Sequence, residues 1–252
     1  MAANQEATEM LDQLSRRFIT RWNQVENLVV MADILTSAHW PNRNDAESKK
    51  GTLAAASGLD TLRAGQLERM YGLMQKGFDV TVESAAIVLA HSVIDKFVYG
   101  LCQISSIVSP MDWLSNIEKR KIVIADLAET SFDIEYNKKL EDYISKLEKE
   151  SLLFKIQKLF SKCKPNRAFN PVPDYIYDSN RLEKFHNKRI EIVHGFDSLY
   201  EIPDVDEKLV YIEKTALYFY SMFDHKYGDA IDPKVRRTLF VLFESRLNPS
   251  GD

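Results

Sequence analysis

Apolar residues return every three or four positions over most of the chain, the spacing of one helix face. Leu11, Leu14, Phe18, Val25, Leu28, Val29 and Ala32 predict a long helix over 8–38. His39 to Gly58 collects Pro, Asn, Asp, Ser, Lys and Gly and reads as a linker. A shorter helical segment follows at 60–77. Asp79-Val80-Thr81 leads into a helix over 82–106 that is apolar on most sides, as a central bundle helix is. Pro110 opens another helix reaching about Glu129. Leu140, Tyr143, Ile144, Leu147 and Phe154 form one stripe and predict a single helix over 138–162.

Residues 163–178, with Pro165, Pro171 and Pro173, read as a loop. A helix over 179–194 is closed by Gly195, a residue suited to the left-handed position after a helix end. Pro203 and Asp204 start the next helix, with Leu209, Ile212, Ala216, Phe219 and Phe223 on one face, and a last helix over 232–246 stops before Asn248-Pro249. No segment reads as a strand. The expectation is an all-α, up-and-down helical bundle, with a helical N-terminal arm and linker at 1–58 and a helical domain at 59–252. The arm would pack on the bundle or serve in dimerisation.

Composition narrows the function classes. The 252 residues are 45% hydrophobic and 28% charged, enough apolar material for a sizeable core. Nine Gly and eight Pro disfavour a turn-rich all-β fold. A net charge of -4 is too mild to imply a nucleic-acid coat protein or an acidic tail, and it leaves room for a local basic patch. Cys102 and Cys163 match no metal spacing, and two distant cysteines fit a reducing compartment. The opening residues show no basic start and no apolar leader. The apolar run near Ala85 to Val108 is interrupted by His91, Asp95, Lys96 and Gln103, short of a membrane span. A cytoplasmic protein without a membrane anchor is therefore expected.

Several site types fail. Gly72-Leu-Met-Gln-Lys-Gly77 superficially suggests a phosphate loop, but Phe78 stands where Lys is required and no strand precedes it. No His or Cys cluster has metal-ligand spacing, so neither a metal nor another cofactor is expected. A Gly-x-Ser-x-Gly elbow and a dinucleotide fingerprint are missing too.

The informative segment is Arg181-Leu-Glu-Lys-Phe-His-Asn-Lys-Arg-Ile-Glu-Ile-Val-His194-Gly195. Taken alone, Arg189 reads as a surface cation and His194 as an imidazole favoured by the helix C-terminal dipole. The same two types also suit phosphoryl chemistry. Histidine titrates near neutrality, as a general base or acid must, and arginine offers phosphate oxygens a planar, permanently charged fork. Lys155, Lys158, Lys162, Lys164 and Arg167 form a basic run with no acid between 151 and 173, and Lys184 and Lys188 lie beyond it. The run reads as a solvated face, or, beside a cleft, as a set of RNA-phosphate contacts. Phe169, Tyr175 and Tyr177 would either stack on unpaired bases or close a packed clasp.

The order of these features resembles a known family. Ala85-Ala-Ile-Val-Leu-Ala-His-Ser-Val-Ile-Asp95-Lys-Phe-Val resembles the first core helix of HEPN domains (higher eukaryotes and prokaryotes nucleotide-binding), Asp112-Trp113-Leu to Ala128 their following helix, and Arg189 to Gly195 their Arg-x4-His motif. The resemblance covers roughly 80–228 and leaves out 1–79. It implies a metal-independent endoribonuclease acting as a toxin or defence effector, with a neutralising or activating protein partner. It also implies a homodimer whose composite site faces RNA. A histidine would help take the 2′-hydroxyl proton, arginine would hold the charged phosphorane, and the products would be a 2′,3′-cyclic phosphate and a 5′-hydroxyl. Arg189 and His194 would be catalytic, with Asp95 orienting one of them. Lys155, Lys158, Lys162, Lys184, Lys188 and His186 would contact RNA. His91, four residues before Asp95, reads as its structural partner on one helix face. Ile190 departs from the polar residue that often follows the motif arginine, which leaves a non-catalytic RNA-, nucleotide- or protein-binding module as the alternative.

Overall fold

The computed structural model describes residues 4–37, 78–117, 132–165, 169, 171–172, 175–194 and 205–247. Among them are eight α-helices and no strand: α1 (Gln5–Ser37), α2 (Phe78–Val108), α3 (Pro110–Ile117), α4 (Phe132–Glu148), α5 (Leu152–Cys163), α6 (Ser179–His194), α7 (Val205–Tyr227) and α8 (Pro233–Leu247), with a single 3₁₀ turn at Gly228–Ala230. The expected linker at 39–58, the segment at 60–77, the continuation to Glu129, Arg167, Gly195 and Pro203 lie outside the described residues.

The bundle packs around α2. Its apolar residues cover most of its circumference and leave only a narrow stripe through Ala85, Ser92 and Lys96 exposed, so one neighbour is not enough to cover it, and α1, α3, α4, α5, α6 and α7 all pack against it. Ala86, Ile87, Ala90, Ile94, Phe97, Val98, Leu101 and Cys102 are fully or almost fully removed from solvent. Each large side chain among them contributes roughly 1.5–3 kcal/mol by leaving water. By length and composition alone Thr81–Val108 is sufficient to cross a membrane, despite the polar interruptions that argued against it in the sequence. In this structure its covering is other helices.

The longest partner of α2 is α1. Ala7, Leu11, Phe18, Trp22 and Val25 share one buried stripe of α1, and the Phe18 ring meets Phe97 of α2 at 4.6 Å between centroids. Asn4 caps the helix: its side-chain oxygen accepts the Ala7 N–H at 3.0 Å. The Asn4 N–H donates to the Ala230 carbonyl at 2.8 Å, and the Asp232 N–H donates to Thr8 Oγ1 at 3.2 Å. On the described side of the expected boundary at residue 58, α1 therefore shares one hydrophobic core with the remaining helices.

The single helix expected over 138–162 is two helices. Ser151 is extended, and its Oγ accepts the Phe154 N–H at 3.3 Å, which gives α5 its own N-terminal cap. Lys149-Glu150-Ser151 separates the two helices, while Leu147 and Leu152 on either side remain buried. At the far end Lys164 is left-handed, with φ 47°, and its N–H closes on the Phe160 carbonyl at 2.8 Å.

The approach to α6 is a packed clasp. Tyr177 stacks on Tyr218 of α7 at 5.5 Å, Phe169 meets the same ring at 5.8 Å, and Tyr175 Oη lies 2.7 Å from Thr215 Oγ1. Tyr211 Oη donates to the Asp178 carbonyl at 2.7 Å, and Arg181 lies 4.3 Å over the Tyr211 ring. These rings are occupied by one another, so the expectation that they stack on bases gives way to the clasp. They fix where α6 begins.

Gly100 of α2 sits under Leu14, where an added Cβ would stand 2.6 Å from Leu14 Cδ1. Gly100→Val is expected to destabilise the fold by about 1–3 kcal/mol through overpacking. Urea unfolding should show the loss, and Leu14→Ala in the same chain should recover part of it.

Candidate functional site

Two helices of the bundle carry polar residues at helical spacing toward each other. On α2, His91 and Asp95 are one turn apart and share a face. On α6, Leu182 and Phe185 are buried against the core, and His186 and Arg189 continue that stripe outward. α5 supplies Lys155 from a third side.

The contacts differ from the expected ones. His91 Nε2 lies 2.8 Å from His186 Nδ1, and the two rings are 5.0 Å apart between centroids. Asp95 is held by Lys155, whose Nζ donates to both carboxylate oxygens at 2.8 Å. The Lys155 side chain is 0% exposed and Asp95 20%. Tyr99 lies 5.8 Å from the same ammonium. Asp95 was expected to orient Arg189 or His194; the ion pair it makes is with Lys155. His91 was expected to pair with Asp95 and pairs with His186.

The electrostatics follow from this packing. Burial, then the positive surroundings of His186, Arg189 and Lys155, push the His91 imidazole down to about 3. Burial and the Arg189 guanidinium lower His186, while Asp95 and Glu183 push it the other way. At neutral pH both rings are therefore uncharged and share one proton between facing nitrogens, one ring donating and the other accepting. Arg189 is half-buried beside them, and it forms no ion pair among the described residues. His194 is exposed and is the last residue of α6. Positions five apart on a helix are about 140° apart, so Arg189 and His194 of one chain face different directions.

The expected basic surface is smaller than the run of lysines. Lys155 is fully buried in its ion pair, and Lys162 is buried with its ammonium 5.4 Å over the Trp113 ring. Both leave the set of RNA-phosphate contacts, because helix α5 turns them inward. Lys158 is half-buried over Phe154, Lys184 is exposed, and Lys188 is half-buried and bridges Glu191 at 3.2 Å. His186, expected among the RNA contacts, is half-buried. Among the described residues no group of three or more His, Cys, Asp or Glu side chains is arranged to hold a metal ion.

The His91–His186 contact is the feature that sequence reasoning missed. Its signal was present in halves: a polar pair four apart on an apolar helix, and another three apart on the motif helix. Comparison with family models, curated proteins and solved structures finds no match for the chain.

Two outcomes follow. His91 is held below its ordinary value, so its contribution to stability is complete above pH 6.5 and is progressively lost between 6.5 and about 3. Thermal melts of His91→Phe should show a shallower decline over that acid range than the wild type. In the ion pair, Asp95→Ala strands a fully buried ammonium and should cost about 3–5 kcal/mol in urea unfolding. Lys155→Met leaves the partly exposed carboxylate access to water and should cost less.

Proposed function

We propose that the chain is a HEPN-type, metal-independent endoribonuclease working as a homodimer. The observation that carries the reading is the placement of the motif: Arg189 lies in a polar cluster against the central helix, and His194 ends the same helix in contact with solvent. Neither group is sealed in the core, so a polynucleotide can reach both. The up-and-down HEPN topology and a toxin or defence role belong to this proposal and rest on the family resemblance.

The cleavage asks little beyond placement and charge. A neutral imidazole accepts the 2′-hydroxyl proton, the guanidinium holds the phosphorane oxygens, and a protonated imidazole serves the departing 5′-oxygen. The angle of about 140° between Arg189 and His194 is better suited to a site shared by two chains than to one chain alone. Ile190 and Val193, 38% and 46% exposed, give the outer half of α6 apolar surface for such a pairing. Lys184 and Lys188 on the same helix would hold flanking phosphates, with binding that weakens as salt rises.

The second reading, a non-catalytic binding module, is favoured by Ile190, an apolar residue where the family often places a polar one. Purified protein incubated with total RNA and a chelator separates the two. A nuclease yields 2′,3′-cyclic phosphate ends, and Arg189→Ala and His194→Ala each slow cleavage by at least about 10²-fold. Equal cleavage by the wild type and His194→Ala removes that histidine from the mechanism. Absence of cleavage, with salt-sensitive binding lost in Lys184→Glu, selects the binding module.

A further inference from the structure

Of the two imidazoles on α6, His186 is the one that shares a face with Arg189. The two are three residues apart, so their side chains lie about 60° apart on the helix, against about 140° for Arg189 and His194. His186 Nδ1 is engaged by His91 Nε2 at 2.8 Å, and its Nε2 has no partner among the described residues. We propose that His186 is the general base of the cleavage, that His91 is the positioning residue behind it, and that His194 donates the proton to the leaving group. This rests on the ribonuclease reading.

The hydrogen bond between the two rings sets the chemistry. With the proton on His186 Nδ1 and donated to His91, the free Nε2 carries a lone pair and can accept. His91 is buried and stays uncharged, so it remains an acceptor. When Nε2 takes a proton, the Nδ1–H to His91 becomes a charge-assisted bond and strengthens. The groups facing the pair are His91 and Asp95 from α2, Lys155 from α5, and Glu183 and Arg189 from α6. Arg189 favours the neutral ring before reaction, and Asp95 and Glu183 favour the cation formed during it. In the step itself the 2′-hydroxyl proton passes to His186 Nε2 as the O2′–P bond forms. The P–O5′ bond breaks, and the leaving oxygen takes a proton from the His194 imidazolium. One proton enters the protein and one leaves it, and the products are the cyclic phosphate and the 5′-hydroxyl.

The test compares wild type, His186→Gln, His91→Leu, His91→Gln and His194→Ala in metal-free RNA cleavage across about pH 5–9, with thermal melts to establish folding. His186→Gln should lower kcat by at least about 10²-fold with KM little changed and should remove the acid limb of the profile. His91→Leu should displace that limb, and His91→Gln, which retains an acceptor, should restore part of it. A folded His186→Gln enzyme with full activity, beside an inactive His194→Ala, overturns the assignment and leaves the ribonuclease reading standing. No cleavage by wild type overturns both. Should His186→Gln fail to fold, the imidazole titration of His186 followed by NMR in the wild type decides. Coincidence with the acid limb supports the assignment, and a mismatch overturns it.

Discussion

A helix that is apolar on nearly every side has to be covered on nearly every side, and α2 imposes that requirement on the rest of the chain. Six helices answer it. The same requirement governs the few polar groups that α2 carries. His91 and Asp95 point into the packing, where an unmatched donor, acceptor or charge costs more than a contact returns. Their partners must come from whatever lies opposite, and those are Lys155 on α5 and His186 on α6. The polar cluster is thus a consequence of covering an apolar helix that is not entirely apolar.

The two partnerships are unlike in character. Lys155 and Asp95 form a charge pair with the ammonium wholly removed from water, an arrangement that adds little net stability but penalises any other register of α5 on α2. His91 and His186 form a neutral pair that needs only one proton between them. Its burial and its cationic neighbours keep it neutral. The first partnership fixes a helix; the second leaves a titratable ring half-open to solvent beside a guanidinium.

The all-α class and the positions of most helices were legible because they rest on spacing along one segment. The bounds of α6 were read to the residue, since a proline-bearing stretch before it and Gly195 after it both signal an end. The break at Ser151 was hidden because the apolar stripe runs across it nearly in phase. The direction of Lys155 and Lys162 was illegible for a different reason: a basic run suggests solvent, and only the rotation of α5 turns two of its members inward. Similarly, nothing in sequence reveals that positions 91 and 186 meet, because the register between α2 and α6 depends on Phe185 and Leu182 seating in the core. The divergence of Arg189 and His194 by about 140° follows from helix geometry alone.

Among the described residues α6 is held more firmly at its start than at its end, where Ile192 packs against the core only in part. The clasp and the buried Leu182 and Phe185 hold its first two turns, while Ile190, Val193 and His194 beyond them are exposed. Opening of a helix begins where fewest side chains resist it. Amide protons of the last turn should therefore exchange with solvent deuterium well before those near Leu182. Whatever binds that end would gain affinity by quieting it, and would surrender part of that gain as the entropy of ordering.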